Sequence, residues 1–407
     1  MDSYERSTSS YYWLFRIIGI VPYKNRRFNF IPAKVISMLI IAALFNYVFV
    51  FIFGTVAKAI KGTLTARFLS RTLPLMSLWA RLVILYSKRH YCNRTLHEFR
   101  QLWSRCADTG HENLLLLLRF NYKIRLLYIF YLANFFLFGL GAFLPTFYRR
   151  LPPLQPNGTS RRILPFFWYT KVYDSPNYEI VYTIHCITYV CIVVSISACN
   201  VFPSFLFLVC SGFFRILRKR LNDLAKIDWS TDTSYYTSLI ELVNLHQDIL
   251  SLSKRSVSLA QNLLLINLTS VTYNIAIIAL EFIDPTSNRP RLLPILITLM
   301  VQLFNIQWSA ECIRQEVGRL KITRKKFKLF FICQRAKQSY LIADASYSAL
   351  KLDASANSRY CIRMMIMRAQ KPVEVKAGGI YSMSFESLNR ISGNIYTFYT
   401  VLRNVQT

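Results

Sequence analysis

The stretch AKVISMLIIAALFNYVFVFIFGTVA (Ala33–Ala57) decides the class of this chain. Its one charge, Lys34, stands at the leading edge, and only small polar breaks (Ser37, Asn46, Thr55) interrupt the aliphatic and aromatic residues that follow. A hydrocarbon core of about 30 Å is crossed by about 20 helical residues, each advancing about 1.5 Å. In lipid a helix satisfies its own backbone hydrogen bonds, so a segment this apolar and this long is a membrane span.

Working outward, six more blocks have comparable length. They are Leu64–Ser87, which carries Arg71, Pro74 and Arg81; Leu126–Phe147, rich in Phe; Tyr178–Phe214; Leu259–Ile283; Leu292–Cys312; and Gly378–Leu402, the least apolar. The fourth is too long for one crossing and is expected to project beyond the membrane. Only 17% of the residues are charged, against about 25% in soluble domains, which fits the same reading. The expected fold class is an all-α membrane protein with seven transmembrane helices. Four regions follow: 1–32 with a short surface or re-entrant helix, 33–312 with spans one to six, 313–377 as a cytosolic helical anchor, and 378–407 with the seventh helix and an extracellular tail.

The formal net charge of +30 is best read as topology, because Lys and Arg collect in cytosolic loops. With the amino terminus inside, cytosolic segments hold 36 of the 50 Lys and Arg, outer segments hold 11, and Arg71, Arg81 and Arg390 lie within spans. The inverted arrangement would place 36 outside, so the amino terminus is expected in the cytosol and the carboxyl terminus outside. No zinc-finger spacing, helix-turn-helix pattern or RNA-binding aromatic signature accompanies the charge, and nucleic acid is not an expected partner. The first thirty residues show no cleavable signal peptide, so the first span is expected to act as its own insertion signal.

Smaller marks agree. Of three Asn-X-Ser/Thr sequons, Asn157 falls in an outer loop and is the expected glycosylation site; Asn93 falls inside and Asn267 within a span. The nine cysteines avoid the outer loop between spans three and four, which reads as reduced thiols rather than a disulfide framework. In LIELVNLHQDILSL (Leu239–Leu252) the residues Leu242, Leu245, Ile249 and Leu252 form one helical stripe, suited to packing between lengthened fourth and fifth helices below the membrane. YYWLFRIIGIV (Tyr11–Val21) is apolar but too short to cross, hence the surface or re-entrant helix.

Catalytic chemistry is not legible. The five histidines (His90, His97, His111, His185, His246) form no HExxH, and the chain has no GxxxxGK[ST], no GxSxG and no paired CxxC. No enzyme, cofactor or metal is expected. His185, beside Cys186 in the outer half of span four, reads either as a histidine with one hydrogen-bond partner or as a polar contact in a ligand pocket.

The carboxyl-terminal third, MRAQKPVEVKAGGIYSMSFESLNRI (Met367–Ile391) followed by YTFYTVLR (Tyr396–Arg403), resembles the insect odorant receptor family. HQDIL (His246–Leu250), SYLIADASY (Ser339–Tyr347) and FFRILRKRLNDL (Phe213–Leu224) extend the resemblance, as does the inverted seven-span topology. The resemblance implies an odorant-gated nonselective cation channel, a tetramer joined mainly through cytosolic helices, and odorants bound in the outer half of each bundle. The ending TVLRNVQT, and the lack of a long insertion between spans four and five, look like an odorant-tuning subunit partnered by the co-receptor. The expected setting is the plasma membrane of olfactory sensory neurons, with a small volatile molecule, permeant cations and membrane lipid as further partners.

Carried over by depth, the implied pocket comprises Phe68 and Thr72 of span two, Phe136, Gly139 and Phe143 of span three, Tyr182, His185, Cys186 and Tyr189 of span four, and Thr298 and Gln302 of span six. A mainly apolar lining with few polar groups suits a volatile ester, alcohol or terpenoid. The last helix shows Arg390, Asn394, Thr397, Val401 and Asn404 on one face, at steps of four, three, four and three. Four such faces about an axis line a pore with an apolar ring at Val401; a single bundle would use the same face for internal packing. The basic stretch VGRLKITRKKFKLFFICQR (Val317–Arg335) departs from the family pattern and is expected to be a cytosolic loop drawn to anionic headgroups. The alternatives are a gustatory-type homomeric channel, disfavoured by TFYTVLRN from Thr397; a G-protein-coupled receptor, disfavoured by the inside amino terminus; and a transporter, disfavoured by the lack of an internal repeat.

Overall fold

The computed structural model describes residues 3–20, 33–60, 66–148, 150–151, 161–162, 177–225, 232–283, 289–317, 346, 356–369 and 373–406. Its helices are α1 (Ser3–Ile17), α2 (Ala33–Ile60), α3 (Ala66–Ser87), α4 (Arg89–Asp108), α5 (His111–Tyr148), α6 (Asn177–Leu224), α7 (Asp232–Ile283), α8 (Arg289–Val317), α9 (Ala356–Ala369) and α10 (Phe385–Gln406). Two short hairpins accompany them, β1 (Arg150–Leu151) with β2 (Arg161–Arg162), and β3 (Lys376–Ala377) with β4 (Tyr381–Ser382).

The seven blocks correspond to α2, α3, α5, α6, α7, α8 and α10. Among the described residues, four segments are long and apolar enough to cross a membrane by composition alone: Ser37–Val56, Glu179–Leu224, Tyr235–Ala279 and Leu292–Gln315. The 48-residue α6 is the axis of the bundle, in contact with α5, α7 and α8, and every residue from 201 to 214 is buried. A helix hydrophobic all round belongs in an interior, which explains why this block reads as one unbroken apolar run. The 52-residue α7 runs alongside it, and Leu242, Leu245, Ile249 and Leu252 are all buried, so the stripe seals its lower half.

Two boundaries differ from expectation. The amino-terminal helix begins at Ser3, and its apolar face is taken by protein: Tyr11, Leu14 and Phe15 are fully buried, with Phe15 edge-on to Phe202 at 5.3 Å and to Phe205 at 5.9 Å, both of α6. The Tyr11 hydroxyl donates to Asn121 Oδ1 of α5, and Trp13 Nε1 donates to the Tyr128 hydroxyl at 3.0 Å. Tyr4, Tyr11, Leu14 and Phe15 of this one short helix are buried, and that burial holds it against α5 and α6.

The seventh helix starts at Phe385, not at Gly378. Gly378 (φ +60°) and Gly379 (φ +77°) instead turn the β3–β4 hairpin, a backbone conformation that glycine adopts without strain. The Gly378 N–H donates to the Gln261 carbonyl of α7 at 2.8 Å, so the hairpin docks on α7 and delivers the chain to α10.

Candidate functional site

Buried polar groups are costly in a bundle interior unless they are paired, and unpaired charges more so. Arg81 of α3 is only 3% exposed, and among the described residues its hydrogen bonds all go to neutral acceptors. Its Nη1 donates to Asn200 Oδ1 of α6 at 2.9 Å and to Asn267 Oδ1 of α7 at 2.8 Å, while Nε donates to the Ser77 carbonyl at 3.3 Å. Gln302 Nε2 of α8 donates to the same two oxygens, at 3.1 Å to Asn200. Two nitrogen donors and two amide oxygens thus close a four-sided ring, in which each nitrogen uses two hydrogens and each oxygen both lone pairs. This arrangement also settles which amide atom of Asn200 faces the guanidinium.

The network continues one turn along α8. Asn305 Nδ2 donates to the Ser204 hydroxyl of α6 at 3.0 Å and to the Tyr131 hydroxyl of α5 at 3.3 Å. Side chains of five helices therefore meet in one buried polar cluster. Two hints lay in the sequence, Arg81 as a charge inside a span and Asn267 as a sequon that glycosylation cannot reach. Their convergence with Asn200 and Asn305 has no linear signature.

The residues expected to line a pocket divide accordingly. Gln302 belongs to the polar ring. Thr72 is buried, with its hydroxyl 3.2 Å from that of Thr55 in α2. His185 is fully buried, and its ring stands perpendicular to that of Tyr47 in α2 at 5.9 Å. Tyr182, Cys186 and Tyr189 are half-buried on the same helix. The Thr298 hydroxyl, also half-buried, donates to the Pro294 carbonyl at 2.7 Å, satisfying the oxygen within its own helix. Phe136 points outward and is 65% exposed, so the structure does not bring it to the others. The side chains of Phe68 and Phe143, and the surroundings of Gly139, lie outside what is described. Asn200 follows His185 by 15 residues of α6, so the ring sits about 22 Å deeper along the helix than the pocket histidine.

On α10, Arg390, Asn394, Thr397 and Val401 all face outward from the chain, with Val401 54% exposed. The Thr397 hydroxyl donates to the Gly393 carbonyl at 3.0 Å, and Arg390 sits 3.8 Å from Glu386 in a solvated pair of little energetic weight. The side chain of Asn404, the whole of Asn157 and residues 318–335 of the basic stretch lie outside the described residues. Among the described residues, no group of three or more His, Cys, Asp or Glu is placed to hold a metal ion.

The family model described as 7tm Odorant receptor matches residues 66–323. Odorant receptor 30a of Drosophila melanogaster is 37% identical over 68 residues, 17% of this chain and 18% of the relative. Odorant receptor 10 of Aedes albopictus is 23% identical over 281 residues, 66% of each chain. Odorant receptor Or2 of Anopheles gambiae is 23% identical over 286 residues, 65% of this chain and 66% of the relative. The chain therefore spans less than two thirds of the length of these relatives. Among solved structures, the insect olfactory receptor OR5 from Machilis hrabei superposes with a TM-score of 0.71 at 13% identity, over 99% of this chain and 98% of that one. The same receptor in complex with eugenol gives a TM-score of 0.68 at 14% identity, over 98% and 99%.

Proposed function

Because the chain belongs to the 7tm odorant receptor family and is a multi-pass membrane receptor rather than an enzyme, we propose that it is an odorant-tuning subunit of a heteromeric odorant-gated cation channel. Its partner is the odorant co-receptor, its ligand a small volatile molecule, and its place the plasma membrane of olfactory sensory neurons. The amino terminus is cytosolic and the carboxyl terminus extracellular, a reading supported by the 36 basic residues it places on the cytosolic side.

The observation that carries this reading is the open face of α10. A closing helix whose polar and small residues face away from its own bundle needs a lining role or a partner, and in four copies it supplies a pore wall. Arg390, Asn394, Thr397 and Asn404 flank the Val401 ring, where an apolar constriction gates by dewetting. Thr72, Tyr182, His185, Cys186 and Tyr189, with Phe68, Gly139 and Phe143, form the odorant pocket in the outer half. Support for a volatile ligand comes from the eugenol complex of the Machilis receptor.

The test is expression with and without an odorant co-receptor while currents are recorded against a panel of volatiles that includes eugenol. Cation current that requires both partner and odorant supports the reading. Odorant current without the partner replaces it with a homomeric channel, and current abolished by guanine-nucleotide analogues rejects it.

A further inference from the structure

The buried ring around Arg81 lies below the pocket and off the pore face, and neither role uses it. We propose that Arg81 is a positioning residue for gating, holding α3, α6, α7 and α8 in one register that α8 passes to the start of α10. This inference rests on the odorant-gated reading above.

The ring acceptors decide the character of the joint. A guanidinium facing a carboxylate in a low-dielectric interior is hard to separate, whereas neutral amide oxygens can be exchanged for one another. Among the described residues the hydrogen bonds of Arg81 go to two amide oxygens and a backbone carbonyl, with the Cys199 thiol and the Tyr131 phenol also close by, so the joint holds four helices yet is free to change partners. Among the described residues, Asn200 Nδ2, in a residue 1% exposed, is a buried donor without an acceptor, and Asn305 Oδ1 is a buried acceptor without a donor. A cluster with an unused donor and an unused acceptor has a second arrangement available to it.

The connection to the pore helix is direct. Gln302 and Asn305 sit in the cluster, while Phe304 and Gln307, on adjoining positions of α8, reach α10. Phe304 stacks on Phe385, and Gln307 Oε1 accepts from the Ser387 hydroxyl at 3.2 Å. Packed interfaces switch between discrete arrangements rather than bend, so a repartnering of Gln302 displaces the first turn of α10.

Asn267→Asp is the discriminating variant: it keeps the shape of the side chain and turns the neutral contact into an ion pair. It should lock the ring, lowering maximal odorant current about fivefold or more while binding of the same volatile to the purified complex stays within about threefold. The volatile used is the one giving the largest wild-type current in the panel, with binding read by calorimetric titration and surface delivery by biotinylation. Asn200→Asp should reproduce the split, because either carboxylate closes the same pair. Unchanged maximal current at normal delivery overturns the inference, as does a current that falls only in step with binding. Loss of delivery in both variants overturns it too, since the ring is then a folding element. A wild-type complex silent to every volatile rejects the channel reading itself, which separates the two failures.

Discussion

Phe304 of α8 and Phe385 of α10 stack with ring centroids 6.0 Å apart and planes 27° from parallel. Phe385 is the first residue of α10, so this contact fixes where that helix begins. The turn around it is self-capped. The Ser387 N–H donates to Ser384 Oγ at 3.2 Å, and the Ser384 N–H donates to Ser387 Oγ at 2.8 Å, a reciprocal box that satisfies two of the orphan donors at the helix start.

That box gives a first prediction. Ser384→Ala should destabilise the detergent-solubilised protein by about 1 kcal/mol, the usual cost of an amino-terminal cap. Ser387→Ala removes its half of the box and also the contact with Gln307, and should cost about 1–2 kcal/mol. Thermal unfolding followed by tryptophan fluorescence ranks the two, and an equal or reversed order refutes the tether to α8.

Gly378 supplies the second. A Cβ at this position would stand 2.6 Å from Leu265 Cδ2, and φ is +60°. Gly378→Ala should therefore lower stability by about 1–3 kcal/mol through strain and overlap together. Adding Leu265→Ala relieves the overlap but not the dihedral, so a partial recovery is expected, and full recovery would show that the left-handed turn carries no cost.

How much of this was legible depends on whether a feature is local. Ala33–Ala57 announces itself because length and apolarity suffice, and the Leu242–Leu252 stripe because its period is helical. Start of the seventh helix was misplaced by a glycine pair that serves equally well for re-entry or for a hairpin; the Gln261 carbonyl that docks the hairpin lies more than a hundred residues away. Gln302 read as pocket by depth along span six. It joins the ring because its amide meets Asn200 and Asn267, and contacts among three helices leave no periodic trace. Phe136, carried over by depth alone, lacked a rotational assignment, and a helix position is defined by both.

The pocket as proposed yields a third prediction. His185→Ala and Tyr189→Ala should each move the half-maximal odorant concentration about tenfold or more, the scale of losing one buried contact in a ligand site. His185→Ala also removes the perpendicular contact with Tyr47, so Tyr47→Leu, which removes the same ring contact from the other side, serves as its control and should leave the dose–response curve in place. Val401→Ala should raise basal current without reordering the volatiles by potency. If neither pocket substitution shifts potency, the pocket lies elsewhere in the bundle.

The fourth concerns acid. His246 stands on the part of α7 proposed to project below the membrane, since the apolar segment Tyr235–Ala279 is about twice as long as one crossing needs and the predicted span is Leu259–Ile283; it is 2% exposed, with Nε2 buried and unbonded among the described residues. Burial lowers its pKa to about 4, and the nearby Arg368 of α9 adds to the shift. In the folded protein the imidazole is neutral over a range in which the unfolded chain, near about 6.5, already takes up a proton. The unfolded state then binds more protons than the folded one, so stability rises with pH across this window. The folded state is therefore unpenalised above about pH 6.5 and loses stability as the pH falls toward 4, by up to about 3 kcal/mol for a shift of this size. His246→Asn should flatten that part of the profile. Unfolding temperatures of the two proteins, measured from pH 7.5 to pH 4 and compared as differences, isolate this group from the carboxylates that titrate lower. Parallel profiles would mean that His246 gains its proton in the folded state as easily as in the unfolded chain, and that the HQDIL segment opens to water before the bundle does.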